Sequence, residues 1–306
     1  MAQLIQMRQR IKAIETIKKV THAMRLISMS MHSRLRGKTP LLKKYNNEVA
    51  KLFKKLRFLA PHWKSPITHP DSPKESNPLF ILVGSQKGLC GTFNTNLLKE
   101  FEKVMPQSER KNTNFITVGK KAVDYLSGQT VKSMVGQFNE MTMRNFTEIS
   151  NEIVDIIVNA KTPYSCVKIL SNELKTFFFQ DPRLLELIPL DNSADTESPV
   201  KTSTDAKSNV QSESNKEEDL SQAFNDGYIW YQKVEDLLDK MAPQYIASNI
   251  NALLVESLLA EQAARFISMD TATRNAKNLL EETTLQYNKL RQAKITKELT
   301  ELATNF

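Results

Sequence analysis

The first 36 residues show a helical pattern of apolar positions and contain neither Gly nor Pro. Larger apolar side chains recur at steps of three or four residues, the spacing that places them on one face of an α-helix. From Ile11 to Val20, three consecutive steps of three predict a locally overwound coiled coil in place of a regular heptad. We therefore predict a helix that packs against another helix through these residues: Leu4, Met7, Ile11, Ile14, Ile17, Val20, Met24, Ile27, Met31 and Leu35.

Helix-breaking residues follow this first pattern. Gly37 and Pro40 are expected to interrupt the helix, and a second amphipathic stretch then runs from Leu41 to Leu59. Both stretches belong to a predicted N-terminal helical arm, residues 1–60. A proline-rich linker is predicted next, over residues 61–78, from Pro61, Pro66, Pro70, Pro73 and Pro78.

The C-terminal region, residues 223–306, predicts one long helix. Beyond Gly227 and Pro243 there is no further Gly or Pro as far as Phe306. About sixty residues in one helix span roughly 90 Å at 1.5 Å per residue. Ordinary globular helices are much shorter, and a helix of this length is typical of a coiled coil or a bundle. We therefore expect the two ends of the chain to pair with each other.

Between the two arms, the pattern changes to short apolar runs that alternate with amphipathic stretches. Residues 79–84, 115–118, 131–135, 166–170 and 184–190 predict strands, and helices are predicted after the first three of them. This order indicates a mainly parallel sheet covered by helices, an α/β domain over residues 79–190. Residues 191–222 are acidic and polar with few large apolar side chains, so a disordered loop is expected there.

Charge is distributed unevenly along the chain, whose formal net charge is +8. Residues 1–60 contain fifteen Lys and Arg against two Glu, whereas the remaining chain is net acidic. Such an asymmetry predicts an acidic partner for the N-terminal arm: nucleic acid, anionic lipid or a carboxylate-rich protein surface. A solvated basic helix face without a partner is the alternative.

The candidate reactive side chains do not form a catalytic constellation. Gly84, Gly88 and Gly91 follow a strand but have the wrong spacing for a dinucleotide-binding or P-loop motif, which favours a structural turn. Four histidines lie in the arm or the linker and are expected on the surface: His22, His32, His62 and His69. Cys90 is expected to be a buried small hydrophobe, and its distance from Cys166 indicates neither a disulfide framework nor a zinc site. We expect no catalytic, cofactor-binding or metal-binding residue.

Three separated strings resemble the γ subunit of the F-type ATP synthase, in the order of that family. RIKAIETIKKVTHAMRLISMSM (10–31) resembles its N-terminal helix, and GLCGTFN (88–94) resembles the turn after its first central strand. The third and most specific string resembles its C-terminal helix: ESLLAEQAARFISMDTATRNAKNLLEETTLQYNKLRQAKITKELTEL (256–302). The resemblance implies an antiparallel coiled coil of the N- and C-terminal helices with a Rossmann-like α/β domain at its base.

The resemblance also implies a function without catalysis in this chain. A γ subunit is the central-stalk rotor that transmits torque between the proton-driven membrane c ring and the catalytic β subunits. Its implied partners are a ring of three α and three β subunits, the ε subunit and the c ring. Nucleic acid is not among them, and membrane association is through the complex. The alternative from another class is a basic coiled-coil module that binds nucleic acid or an anionic membrane surface.

Matching motifs carry five candidate β-subunit contacts onto this chain. They are Met24, Lys87, Arg291, Gln292 and Thr296. For each of them, ordinary coiled-coil surface or seam is the alternative. The acidic loop contains no cysteine, so the resemblance implies no thiol switch in it. The N-terminus lacks the pattern of a targeting sequence, and the expected location is the cytoplasmic face of the bacterial plasma membrane.

Overall fold

A computed structural model describes residues 2–65, 77–160, 162–189 and 232–304. The predicted acidic loop, residues 191–222, lies outside the described residues, as does most of the predicted linker.

Two long helices frame the molecule. Helix α1 runs from Ala2 to Leu59 without a break, so the predicted interruption at Gly37 and Pro40 is wrong. Pro40 removes one backbone hydrogen bond from the helix, but Leu35 and Phe53 are buried on either side of it and hold both segments in one helix. Tertiary packing of this kind commonly outweighs local propensity.

The C-terminal helix, here α6, lies within the predicted region 223–306 and exceeds the roughly sixty residues expected after Pro243. It comprises 71 residues, from Val234 to Thr304, and includes Pro243. At 1.5 Å per residue it spans about 105 Å. Helices α1 and α6 pack antiparallel along each other, which confirms the expected pairing of the chain ends.

The buried side of α1 follows a strict heptad, and the predicted overwinding is wrong. Its steps alternate between three and four residues from Leu4 to Leu35 and pass through polar side chains: Leu4, Met7, Ile11, Ile14, Lys18, Thr21, Arg25, Ser28, His32 and Leu35. The facing side of α6 repeats the same spacing: Phe266, Met269, Thr273, Ala276, Leu280, Thr283 and Tyr287. A sustained 3.5-residue period is the geometry of a left-handed coiled coil.

A five-stranded sheet lies between the two long helices in the chain. Its strands are β1 (Pro78–Val83), β2 (Asn114–Val118), β3 (Ser133–Phe138), β4 (Cys166–Thr176) and β5 (Phe179–Ile188), in the spatial order β3-β2-β1-β4-β5. The first four strands are parallel, and β5 pairs antiparallel with β4 in a long hairpin. This arrangement confirms the predicted mainly parallel sheet.

Helices cover both faces of the sheet, as the nearly continuous apolar run of β1 requires. Helices α2 (Phe93–Val104) and α4 (Lys120–Ser127) cover one face, and the short α3 (Gln107–Arg110) follows α2. The other face packs against α5 (Phe146–Val158) and the middle of α6. Consequently α6 belongs to two structures, the core of the α/β domain and the coiled coil.

Candidate functional site

Polar pairs fix the register of α1 against α6. Arg8 Nη2 donates to Tyr287 Oη at 3.3 Å, and Arg25 Nη1 lies 2.7 Å from Asp270 Oδ1. The interval from Arg8 to Arg25 on α1 is seventeen residues, and the interval from Tyr287 back to Asp270 on α6 is the same. The two helices advance at equal rates, so the pair is a continuous two-stranded rod over this length.

The middle of this rod has polar residues in its seam. Thr273 Oγ1 donates to Thr21 Oγ1 at 3.0 Å, one turn from the Arg25–Asp270 ion pair. The hydrogen bond from Arg25, supported by Arg274, lowers the pKa of Asp270 below its usual value. Because these pairs need particular neighbours, they specify one register more strictly than apolar contacts would.

A second apolar stripe on α1 flanks the seam. Ile17, Val20, Met24, Ile27 and Met31 are spaced by alternating steps of three and four residues. Ile17, Val20 and Ile27 are more than half exposed, at 54%, 53% and 58%. Together these five side chains are called the outer stripe below. Sequence reasoning merged it with the seam, because the step from Ile14 to Ile17 crosses from one heptad to the other.

The end of α6 is also apolar and exposed. Arg8 lies opposite Tyr287, so the last residues of α6 extend beyond the beginning of α1. Leu299 and Leu302 are each at least 60% exposed there. Unpaired apolar surface of this kind in a folded chain is typical of a surface that a partner covers.

The glycine turn between β1 and α2 attaches the α/β domain to the rod. Arg265 Nη2 donates to the carbonyl of Lys87 at 2.9 Å, and Arg265 Nε donates to that of Gly88 at 3.4 Å. Within the turn, Asn94 binds Ser85 through both its amide atoms, and Leu89 has a positive φ of 63°. These glycines therefore form a structural turn, as predicted.

Arg265 also forms a buried ion pair with Glu261, one turn earlier on α6. Side-chain exposures are 8% for Arg265 and 3% for Glu261. Burial raises the pKa of Glu261, whereas the field and hydrogen bond of Arg265 oppose that rise. This pair and the two carbonyls make a charged clamp where the rod leaves the domain.

The five predicted contact residues lie in two groups. Met24 is half-buried in the outer stripe, and Lys87 is exposed on the glycine turn. Arg25, next to Met24, contacts Asp270, and the Lys87 carbonyl accepts a hydrogen bond from Arg265. Asp270 and Arg265 are five residues apart on α6, or about 8 Å along its axis. Arg291, Gln292 and Thr296 are exposed, with Thr296 Oγ1 donating to the Gln292 carbonyl at 3.1 Å. They lie some 30 Å farther along the rod.

The two cysteines and His32 lie in different environments in the fold. Cys90 is buried against Phe93 and α6, as predicted, and burial raises the pKa of its thiol. Burial and Glu186 raise the pKa of Cys166 to about 12. His32 is only 4% exposed, which corrects its expected surface position. The cause is its place in the heptad seam.

Ligand chemistry is sparse in the described part of the chain. Among these residues no cluster of His, Cys, Asp or Glu has the arrangement of a metal site. A hollow of about 510 Å³ lies at the amino ends of β1 and β2, but its Asn77, Asn114 and Lys132 side chains bind one another. None of the described helices combines the length and apolarity needed to span a bilayer.

Comparison with known proteins gives a consistent result over the full chain. Residues 3–306 match the model of the family described as ATP synthase. The ATP synthase gamma chain of Chloroherpeton thalassium is 27% identical and is aligned over 99% of this chain and 96% of its own. That of Prochlorococcus marinus is 28% identical, with coverage of 99% and 98%.

Solved structures share the fold. A chain of the Euglena gracilis mitochondrial ATP synthase, from a structure of its OSCP, F1 and c-ring parts, superposes with a TM-score of 0.67 at 15% identity. The match covers 99% of this chain and 93% of that one. A chain of the rotor of the same enzyme gives a TM-score of 0.63 at 14% identity. The chain therefore belongs to the ATP synthase γ-chain family.

Proposed function

We propose that this chain is the central-stalk rotor subunit of an ATP synthase and couples proton transport to ATP synthesis or hydrolysis. The observation that carries the proposal is a two-helix rod that projects from an α/β base and exposes apolar and basic side chains along its length. From Met269 to Thr304 the rod extends roughly 50 Å beyond the clamp. Exposed apolar surface of this extent is typical of a protein that binds a partner.

The proposed partners are inferred from the names of similar proteins. Curated relatives are called ATP synthase gamma chain, and structural neighbours come from an assembly with F1 and a c ring and from one with a central stalk and a c ring. In our proposal, the arms 1–60 and 223–306 form the shaft inside a ring of α and β subunits. Residues 79–190 form the base, which rests with ε on the c ring. Nucleotide binding and catalysis belong to the β subunits.

The rod is suited to transmitting torque because it is both stiff and asymmetric. Its polar seam pairs fix one register, and the charged clamp ties it to the base. The outer stripe occurs on one side of α1 only, so each β subunit meets a different surface as the rod turns. Catalytic sites that contact different sides of one shaft are held in different states.

The proposed β contacts form two levels on the rod. Met24 and Lys87 belong to the lower level, beside the clamp, and Arg291, Gln292 and Thr296 to the upper level. Basic side chains at both levels favour acidic partner loops. For location, we propose the cytoplasmic face of a bacterial plasma membrane, in line with the bacterial origin of the curated relatives named above.

Purification of tagged chain from detergent-treated membranes tests the function. We expect α and β subunits to co-purify; recovery of nucleic acid in their place would reject the rotor in favour of a basic binding module. The double variant R291A/Q292A then tests the upper level. It should assemble but lose several-fold of its proton-coupled ATPase activity, whereas Lys289→Ala, an exposed neighbour, should not. Equal activities would reject the proposed contact residues alone.

A further inference from the structure

An aromatic cluster joins the tip of the β4–β5 hairpin to the rod. Phe177, in the turn between the two strands, packs edge-on against His32 of α1 with ring centroids 5.0 Å apart. On its other side Phe177 contacts Phe266 of α6 at 5.4 Å. These three rings are called the latch, since they form a contact between the hairpin tip and both helices of the rod.

One member of the latch is titratable and has an unsatisfied polar atom. His32 is 4% exposed, and its Nε2 has no hydrogen-bond partner among the residues that the structure describes. A neutral imidazole tolerates this environment as an aromatic ring. A protonated one would place a positive charge, with one N–H unpaired, among apolar rings, and that arrangement is unfavourable.

The charged groups around the latch do not compensate such a charge. Arg36, one turn along α1, is a cation and acts against protonation. Four of the nearby acids are already paired: Asp181 with Lys175 and Glu173 with Arg183 on the hairpin, and Glu261 with Arg265 and Asp270 with Arg25 on α6. A fifth, Glu256 of α6, interacts with Glu173 and Arg183, and burial raises its pKa to about 7, so it is mostly neutral at the pH at which His32 takes up a proton.

We propose that His32 makes the latch acid-sensitive: protonation of its ring releases the hairpin tip from the rod, while the charged clamp keeps the α/β domain attached. Release exposes Phe177 next to Phe178 and Phe179, which are already 71% and 68% exposed. Acidification would thus present three consecutive aromatic side chains beside the lower level of the rod. The latch is a regulatory device that the rotor function does not require.

The direction of the pH effect follows from linkage. Burial first, and Arg36 second, lower the pKa of latched His32 below its ordinary value of 6.5. The released state therefore binds the proton more readily than the latched state. Latch stability is complete above pH 6.5 and falls as the pH decreases towards the lowered pKa of His32. In that interval, one proton changes the release equilibrium by up to about tenfold per pH unit.

Hydrogen exchange of the full-length chain between pH 8 and pH 5 tests the proposal. After correction for intrinsic exchange rates, protection of residues 174–182 should decrease several-fold below pH 6.5, whereas that of β1 should not. The His32→Leu variant should abolish this dependence, and His62→Gln, which changes an exposed histidine, should retain it. Constant protection in the native chain, or an unchanged pH dependence in His32→Leu, would overturn the proposal.

Discussion

The charged clamp gives the largest predicted effect of a single substitution. Arg265→Met would remove the cation that pairs with the Glu261 carboxylate and the donor to the carbonyls of Lys87 and Gly88. Breaking a buried ion pair by removing one partner typically costs about 3–5 kcal/mol, since the other charge remains buried. We expect a loss of this size in the free energy of unfolding, with the lost carbonyl bonds contributing to it.

Urea unfolding followed by far-UV circular dichroism would measure the change. Lys297→Met is the matched control, because Lys297 and Glu301 form an exposed pair with the same spacing on the same helix. Its effect should be within ~0.5 kcal/mol. The double variant E261Q/R265M removes the stranded charge and should recover at least ~1.5 kcal/mol relative to Arg265→Met.

The pH dependence of the single variant separates a stranded charge from a lost packing contact. Burial raises the pKa of Glu261, and without Arg265 only the smaller effects of the Gln86 backbone hydrogen bond and the Lys87 charge oppose that rise. A group whose folded pKa is raised destabilises the folded state as the pH increases past its unfolded value. The deficit of Arg265→Met should therefore be smaller at pH 5 than at pH 8. A deficit below ~1 kcal/mol, or one that the double variant does not reduce, would refute this reasoning.

Three further predictions concern stability, and thermal or urea unfolding measures each of them. Gly119→Ala should cost about 3 kcal/mol or more, because φ is +90° and a Cβ would lie 2.2 Å from the Gly84 carbonyl oxygen; Gly37→Ala, in open helix surface, should instead stabilise by ~0.5–1 kcal/mol. Burial raises the pKa of Glu256 to about 7, so native stability should fall by up to ~3 kcal/mol as the pH rises from 4.5 to 7, and Glu256→Gln should flatten that slope. Ile14→Ala, in the seam at 5% exposure, should cost ~2–4 kcal/mol, but Ile27→Ala in the outer stripe should cost less than ~0.5 kcal/mol.

The long helices and the strands could be predicted from the sequence more reliably than a break within a helix. The helical period and the short apolar runs identified both long helices and all five strands, because each signal extends over several consecutive residues. Gly37 and Pro40 do not interrupt α1, since their effect depends on packing against α6 that no local pattern contains. Helix α3 has only four residues and offers no period to detect.

The candidate site shows a different limit. Apolar spacing alone cannot tell a residue that faces a partner helix in the same chain from one that faces another molecule. Ile14 and Ile17 have the same side chain and lie one turn apart, but the first is 5% exposed and the second 54%. Arg25, Ser28 and His32 occupy seam positions despite their polarity. The strict seven-residue spacing from Leu4 to Leu35 was the signal that identifies them.

The distribution of polar and apolar residues on α1 is unfavourable for an isolated helix pair. Polar side chains occupy the middle of its seam, where apolar ones would contribute about 25 cal/mol for each Å² buried, and three of the five outer-stripe side chains are more than half exposed to water. Both features become favourable if other subunits surround the rod. The polar pairs then fix rotational register, and the outer stripe is buried against the ring. We infer that this part of the rod is selected for its contacts in the assembly at the expense of stability on its own.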